Sequence, residues 1–518
     1  MSKKEHISLK HKKNHQTIPP RHLLGMLIIL AEVIGVFAGV LVLAIYFTWV
    51  WYIIGAIHIL LFLLILSSSD NPDYKIPWIV FILLVPILGP LCYILFYSRK
   101  LSKKQTKKLK LLKNTRIPFN HSYHYEKLKE DNPLIYSDAK YLTHAEKTNL
   151  HRNTAIKYYH LGDDIFPDLL KDINNAKEFI FLDYYIIREG IFWDTILDAL
   201  IKKSKEGVEV RLLYDDIGCM RNLPGNYDKY LDSLGIHTRQ FNRLKYQPNS
   251  EFNNRSHRKV TVIDGLYGYT GGFNLADEYV NKIVKFGHWK DSGIRVEGEL
   301  VDEFTKQFLC DYELSSPKQI DFNFEKYYRK HLVPNDGYCI SFTDGPRPIY
   351  PRETAKGAIL NLLNHATKNV YITTPYLITD NDVMTAIETT SLRGIDVRII
   401  TPHIPDKKLI FKMTQSSYKR LMEAGVKIYE YTPGFIHTKS YQADGQVAII
   451  GTINLDYRSL VHNFENGVWM YNHEVIKDIE KDFLETQKIS MRIEKKDVKD
   501  NIIWRFFRGI VKIFAPLM

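Results

Sequence analysis

His257-Arg-Lys259-Val-Thr-Val-Ile-Asp264-Gly265 and His437-Thr-Lys439-Ser-Tyr-Gln-Ala-Asp444-Gly445 are two copies of one unit. Each is followed by a small-residue pair and an asparagine: Gly271-Gly272-Phe-Asn274 in the first copy, Gly451-Thr452-Ile-Asn454 in the second. The step from the histidine to the first of these glycines is 14 residues in both. Side chains alternate along a strand, so a histidine and a lysine two residues apart share one face. Each unit should therefore present an imidazole and an ammonium to the same space. The Asp-Gly that follows is a turn signal, and a second short strand is expected to return to the small-residue pair.

Outward from these units, the flanking chain repeats in order. Phe179-Ile-Phe-Leu-Asp-Tyr-Tyr is matched by Val370-Tyr-Ile-Thr-Thr-Pro-Tyr, and Gly207-Val-Glu-Val-Arg-Leu-Leu-Tyr by Gly394-Ile-Asp-Val-Arg-Ile-Ile-Thr. Gly235-Ile-His-Thr-Arg is likewise matched by Gly425-Val-Lys-Ile-Tyr. Strands separated by helical stretches predict an α/β fold in which each half is a mixed sheet flanked by helices. The duplication predicts a pseudo-two-fold pair of domains, 141–325 and 326–498, with one site built from both in the cleft between them.

Two histidines and two lysines in one cleft suit phosphodiester transfer. One neutral histidine attacks phosphorus to give a phosphohistidine, while the other, protonated, serves the leaving alcohol. Lys259 and Lys439 neutralise the phosphoryl oxygens, so neither a metal nor another cofactor is needed. Asp264 and Asp444 are candidates for catalysis and, equally, for the turn scaffold. Gly272 and Thr452 sit where the backbone could approach a phosphate. Asn274 and Asn454 could bind phosphate oxygens or cap a following helix. A histidine used this way needs a carboxylate to fix its ring and tautomer. Asp291 and Glu465 precede matching strands in the two halves and are the expected orienters.

The N-terminal hundred residues are of another kind. Leu23–Leu66 is almost wholly apolar, and Pro77–Phe96 carries no charge. A span needs roughly 20 apolar residues, so 23–98 is read as a transmembrane anchor of two or three spans. Trp49, Trp51, Trp78 and Tyr97 are placed as interfacial aromatics. A basic tail, 1–22, precedes the anchor, and a basic juxtamembrane linker, 99–140, follows it. The positive-inside rule puts both clusters in the cytoplasm, which needs an even number of crossings, whereas the apolar runs offer material for three. One run is then expected not to cross fully, the run containing Pro86, Gly89 and Pro90 could bend back, and the catalytic part is placed in the cytoplasm. At 499–518 apolar residues recur at helical spacing with Arg505, Arg508 and Lys512 between them, the pattern of an amphipathic helix.

The net charge of +12 calls for an anionic partner. The basic residues cluster beside the spans and not in a stripe interleaved with aromatics, which favours an anionic membrane over nucleic acid. The four cysteines lie far apart without metal-ligand spacing, so neither a zinc site nor a disulfide framework is expected. Oligomeric state is not legible.

The paired units resemble the HKD motifs of the phospholipase D superfamily, and their surroundings resemble the bacterial cardiolipin synthases. The residues that carry the second likeness are Thr270-Gly-Gly-Phe-Asn-Leu-Ala-Asp-Glu-Tyr279, His288-Trp-Lys-Asp-Ser-Gly-Ile-Arg-Val-Glu-Gly298, Thr374-Pro-Tyr376, Gly434-Phe-Ile-His-Thr-Lys439, Asn454-Leu-Asp-Tyr-Arg-Ser459 and Asn463-Phe-Glu-Asn466. The resemblance implies a multi-pass enzyme of the bacterial cell membrane. It also implies transphosphatidylation, in which phosphatidylglycerol is donor and acceptor and the products are cardiolipin and glycerol. It further implies His257 as nucleophile and His437 as acid and base, although two near-identical units leave that order open. A hydrolase passing the phosphatidyl group to water, or another headgroup-exchanging enzyme, is the alternative.

Overall fold

The computed structural model describes residues 20–68, 72–96, 103–115, 117, 122–243, 254–316, 321–347, 350 and 352–498. The basic tail up to residue 19, Tyr97, Arg99 and Lys100, and the amphipathic stretch 499–518 lie outside the described residues. The chain divides into two compact units, one holding the apolar N-terminal helices and one covering 101–243 and 255–499.

In the first unit, helix Pro20–Tyr46 carries the apolar stretch Leu30–Tyr46 and is followed by helix Trp49–Ser67. At about 1.5 Å per residue the latter is about 28 Å long, and among the described residues it is the one helix long and apolar enough to cross a bilayer. The run Pro77–Phe96 does not form the single span its composition suggests. It breaks at Pro86 into helices Pro72–Leu84 and Leu88–Phe96, because a proline cannot continue the helical ladder. Gly89 permits the second piece to fold back, since a side-chain carbon there would lie 2.7 Å from the Ile82 Cα. Trp78, expected at an interface, is instead buried with Leu61, Ile65 and Ile82 and meets Tyr93 edge-on at 5.4 Å.

The second unit is built on two sheets. Its first half supplies β1 (Thr154–Tyr159), β2 (Phe179–Tyr184), β3 (Glu209–Asp215), β4 (Ile236–Phe241), β5 (Lys259–Ile263), β6 (Tyr267–Gly271), β7 (His288–Lys290) and β8 (Gly293–Gly298). The second supplies β9 (Tyr338–Asp344), β10 (Asn369–Thr373), β11 (Leu377–Ile378), β12 (Asp396–Pro402), β13 (Lys427–Tyr431), β14 (Gly434–Ile436), β15 (Ser440–Ala443), β16 (Val447–Gly451), β17 (Leu455–Asp456), β18 (Glu465–Tyr471) and β19 (Ser490–Arg492). The first sheet runs β1-β8-β6-β5-β2-β3-β4. The second runs β9-β18-β16-β15-β10-β12-β13, the same plan, with β19 added beyond β13. Both are mixed: β2-β3-β4 and β10-β12-β13 are parallel, and the strands on the other side are antiparallel.

Helix Val301–Leu314 is buried between the halves. Its Phe304, Phe308 and Leu309 share one apolar cluster with Phe181 and Val262 of the first sheet and Ile450 and Val468 of the second. The stretch expected as a basic linker is also structured. In helix Lys103–Lys113, Leu109 and Leu112 are buried in that same cluster. Helix Pro133–Glu146 sets Ile135, Ala139 and Leu142 into the core of the second half, although the first half follows it in the chain. Their i, i+4, i+7 spacing is the core face of a helix, obscured in the sequence by neighbouring lysines.

Candidate active site

Main-chain pairing between the halves sets the site. His257 donates its amide to the carbonyl of Phe464 at 2.9 Å, which places the first histidine beside Glu465, the opening residue of β18. In the second half, β14 pairs in parallel with β7, Ile436 opposite Lys290, and the His437 amide donates to the Lys290 carbonyl at 2.7 Å. His437 thus lies beside Asp291. The orienting pairs are therefore crossed. His257 Nδ1 is 3.0 Å from both Glu465 carboxylate oxygens, and His437 Nδ1 is 2.7 Å from Asp291 Oδ2. Each histidine is held by a carboxylate of the other half, so neither half makes a complete site alone.

The two lysines complete the cluster. Lys259 Nζ donates to the carbonyl of His257 at 2.6 Å, and Lys439 Nζ donates to that of His437. All six groups are buried. Burial lowers the His257 pKa, Glu465 opposes it and the lysines add to it. Burial and Lys439 push His437 down to about 3. Burial takes Lys259 to about 7 and Lys439 to about 8 against the pull of the carboxylates. For Glu465 and Asp291 burial works against ionisation, but the facing histidine, the neighbouring lysine and the serine hydrogen bond together outweigh it, and both are held below the ordinary carboxylate range. Each imidazole therefore donates Nδ1–H to an anion and leaves Nε2 as a free base.

The remaining candidates divide. Asp264 and Asp444, read above as candidates for catalysis and equally for the turn scaffold, lie in hairpin turns with positive φ at both Asp and Gly. Asp264 is about 17 Å along its strand from Lys259. Its carboxylate accepts the amides of Lys177, Glu178 and Phe179, and that of Asp444 accepts the amides of Thr367, Lys368 and Asn369. They fasten the entry to β2 and β10, which favours the scaffold reading of both over the catalytic one. The Asn274 amide is occupied, accepting from the Ile186 amide and donating to the Tyr279 hydroxyl at 2.8 Å. Asn454 Oδ1 is buried without a hydrogen-bond partner among the described residues. Gly272 backs Asp291, whose Oδ1 would lie 2.0 Å from a side-chain carbon there. Thr452 donates its hydroxyl to Glu465.

Comparison with known proteins then fixes the family. The family model described as "Cardiolipin synthase, PLD-like domain" matches residues 169–311 and 359–487, and one described as "Phospholipase_D-nuclease N-terminal" matches 50–96. A cardiolipin synthase of Oceanobacillus iheyensis is 33% identical over 469 residues, 88% of this chain and 96% of the relative. The chain belongs to the cardiolipin synthase family. It is an enzyme of that family, a phosphatidyltransferase of the phospholipase D type, and with its apolar helix Trp49–Ser67 it is membrane-associated. A cardiolipin synthase of Staphylococcus aureus is 32% identical, over 85% of this chain and 90% of its own. The solved phosphatidylserine synthase of Haemophilus influenzae shares the fold, with a TM-score of 0.56 at 17% identity over 74% of this chain and 98% of its own.

Several residues around the cluster were not singled out from the sequence. Ser459 donates to Glu465 at 2.6 Å. Arg258, next to His257, is buried, pairs with Asp311 and donates to the Glu465 carbonyl at 3.1 Å. Tyr185 meets the His257 ring edge-on at 5.1 Å, and Tyr279 meets His437 at 5.5 Å. Ser459 and Tyr279 both stand five residues after the asparagine of their motif, a spacing that could have marked them. Arg258 carried no such signal, because a basic residue between His and Lys reads as a solvated neighbour.

Proposed function

We propose that this phosphatidyltransferase takes its phosphatidyl group from one phosphatidylglycerol, carries it on His257 and delivers it to a second. In the first step His257 Nε2 attacks phosphorus. The bond from phosphorus to the headgroup oxygen breaks, and His437 gives its proton to the departing glycerol. In the second, His437 takes a proton from the glycerol hydroxyl of another phosphatidylglycerol, whose oxygen attacks phosphorus as the phosphorus–nitrogen bond breaks. Two phosphatidylglycerols give one cardiolipin and one glycerol.

The observation that carries this reading is the crossed pairing, two imidazoles each held by the other half's carboxylate with a lysine beside each. Glu465 also accepts from Thr452, Ser459 and Asn463, which keeps it anionic opposite the positive phosphoimidazolium that His257 would become. His437 must be charged to act as an acid, yet burial and Lys439 hold it low. A phosphodiester anion among the lysines raises its proton affinity, so His437 would charge as substrate enters. For the membrane, we take Trp49–Ser67 as one crossing and the shorter apolar stretch Leu30–Tyr46 as a second, with Pro77–Phe96 folded back at Pro86. That number leaves both basic clusters, and the catalytic unit, on the cytoplasmic side of the bacterial membrane.

The test is purified enzyme in detergent micelles with phosphatidylglycerol as the only phospholipid, following cardiolipin, glycerol and phosphatidic acid together. Cardiolipin and glycerol should rise in step and both should vanish in His257→Ala. Phosphatidic acid in place of cardiolipin would make water the acceptor and the enzyme a hydrolase.

A further inference from the structure

Three surface segments converge at one end of the second half. The loop 281–287 leads into β7, the loop 403–407 follows β12, and the turn Thr432–Pro433 joins β13 to β14. They are tied together: the His288 amide donates to the Pro433 carbonyl at 3.0 Å, and Ile404 Cδ1 would lie 3.2 Å from a side-chain carbon on Gly287. The Thr432 hydroxyl donates to the Ile489 carbonyl at 2.6 Å, bringing a fourth segment alongside. Their apolar side chains face solvent. Val284 is 89% exposed, Ile489 52%, Ile283 42% and Ile404 37%. Lys282, Lys407 and Lys408 are exposed among them, while Asp406 is bound to the Tyr376 hydroxyl and Glu278 to Arg188 and Lys285.

This end of the molecule is the site's own. β7 runs directly into Asp291 and β14 into His437, so the end of loop 281–287 and the turn Thr432–Pro433 each stand four residues before a member of the Asp291–His437 pair. Asp406 is one of the carboxylates that favour the Lys439 ammonium. The loops after β12 and β13 also leave the carboxyl ends of parallel strands, where α/β folds place their ligands.

We infer that this apolar, lysine-bearing tip docks on the surface of an anionic phospholipid bilayer and seats the mouth of the site at the headgroups. The inference rests on the reading that the substrates are phosphatidylglycerols drawn from a bilayer. Soluble proteins keep side chains like Val284 and Ile283 scattered, whereas here they gather with lysines and the carboxylates nearby are already paired. That combination matches acyl-chain edges beneath anionic headgroups.

Two arms test it with the full chain in vesicles. An environment-sensitive fluorophore on Val284→Cys, in the His257→Ala background that stops turnover, should shift to the blue in phosphatidylcholine vesicles containing phosphatidylglycerol. It should also be quenched several-fold by a quencher attached to lipid acyl chains. The same label on Leu392→Cys, 71% exposed at the end of helix Asn381–Leu392, should report water throughout. A water-like signal at position 284 in those vesicles would overturn the inference. So would a signal in phosphatidylcholine alone that phosphatidylglycerol does not shift further, because the lysines would then take no part. In the second arm, the double variant Ile283→Asp/Val284→Asp should raise KM for bilayer phosphatidylglycerol about tenfold, with kcat/KM for monomeric dihexanoyl-phosphatidylglycerol unchanged. Equal loss on both substrates, or no loss on either, would contradict docking. If the unsubstituted enzyme acts on neither, the phosphatidylglycerol reading fails, and the fluorophore still decides whether the tip enters lipid.

Discussion

Glu465 and Asp291 hold equivalent places in the two halves, each bound to the other half's imidazole, but their neighbours differ. Glu465 accepts from His257, Thr452, Ser459 and Asn463. Asp291 accepts from His437 and, at 2.9 Å, from the Ser292 amide. The counterpart of Thr452 is Gly272, which packs on Asp291 without donating, and the counterpart of Ser459 is Tyr279, whose hydroxyl accepts from Asn274. Duplication supplied one scaffold with two imidazoles, and substitutions around the carboxylates made those imidazoles unequal. On the proposed mechanism, the more heavily hydrogen-bonded carboxylate faces the histidine that stays charged through the covalent intermediate, and the barer one faces the histidine that gains and loses a proton in every cycle.

Breaking the difference should cost most where the carboxylate itself is changed. Glu465→Gln should lower kcat about 10³-fold or more, because the amide favours the wrong imidazole tautomer, and the loss should appear in single-turnover formation of the intermediate. Gly272→Thr, which tries to give the first half the second half's arrangement, would force a carbon against Asp291 Oδ1. It should lower kcat about 10²-fold, whereas Thr452→Gly, which removes one donor from Glu465, should cost about tenfold.

The pH dependence sharpens the comparison from the side of the lysines. His257 must be neutral and its pKa is lowered, so kcat/KM should fall on the acid side only below about pH 6.5. His437, Lys259 and Lys439 must all be charged, and His437 is held at about 3 in the free enzyme, so kcat/KM should fall with rising pH across the neutral range and more steeply through about 7 to about 8. kcat itself should keep a flatter base limb, because a bound phosphodiester holds the protons on both lysines.

The smallest effect on chemistry belongs to the two turn aspartates. Asp264→Asn and Asp444→Asn should each cost about 2 kcal/mol of stability by thermal unfolding, with kcat of the folded enzyme within about threefold. Backbone amides hold the Asp444 pKa down against burial. Its contribution is therefore present at neutral pH and lost as pH falls through the acid range, a dependence the asparagine variant should lack.

The duplicated α/β fold was legible because strand alternation and the repeated motifs are local signals, and the candidate histidines, lysines and carboxylates came with them. The crossing of the pairs was not legible. It depends on Phe464 and Lys290 accepting the histidine amides across the halves, a contact that no spacing records. Asp264 and Asp444 were ambiguous because a turn aspartate and a catalytic one look alike until their amide partners are known. Pro77–Phe96 was read as material for one span from its apolar composition or, from Pro86, Gly89 and Pro90, as a run that bends back, and the second reading is the one its two short helices follow. The part of Pro133–Glu146 up to residue 140 was taken for linker, since its apolar face completes a core most of whose residues begin about 200 positions later.

The most direct measurement of the inequality is an intact-mass experiment with a phosphatidyl donor whose leaving group is p-nitrophenolate, which departs without needing a proton. His437→Asn protein should accumulate one phosphatidyl adduct, mapped to His257, and His257→Asn protein should accumulate none. An adduct on His437 in the His257→Asn protein would contradict the assignment and reverse the roles of the two halves.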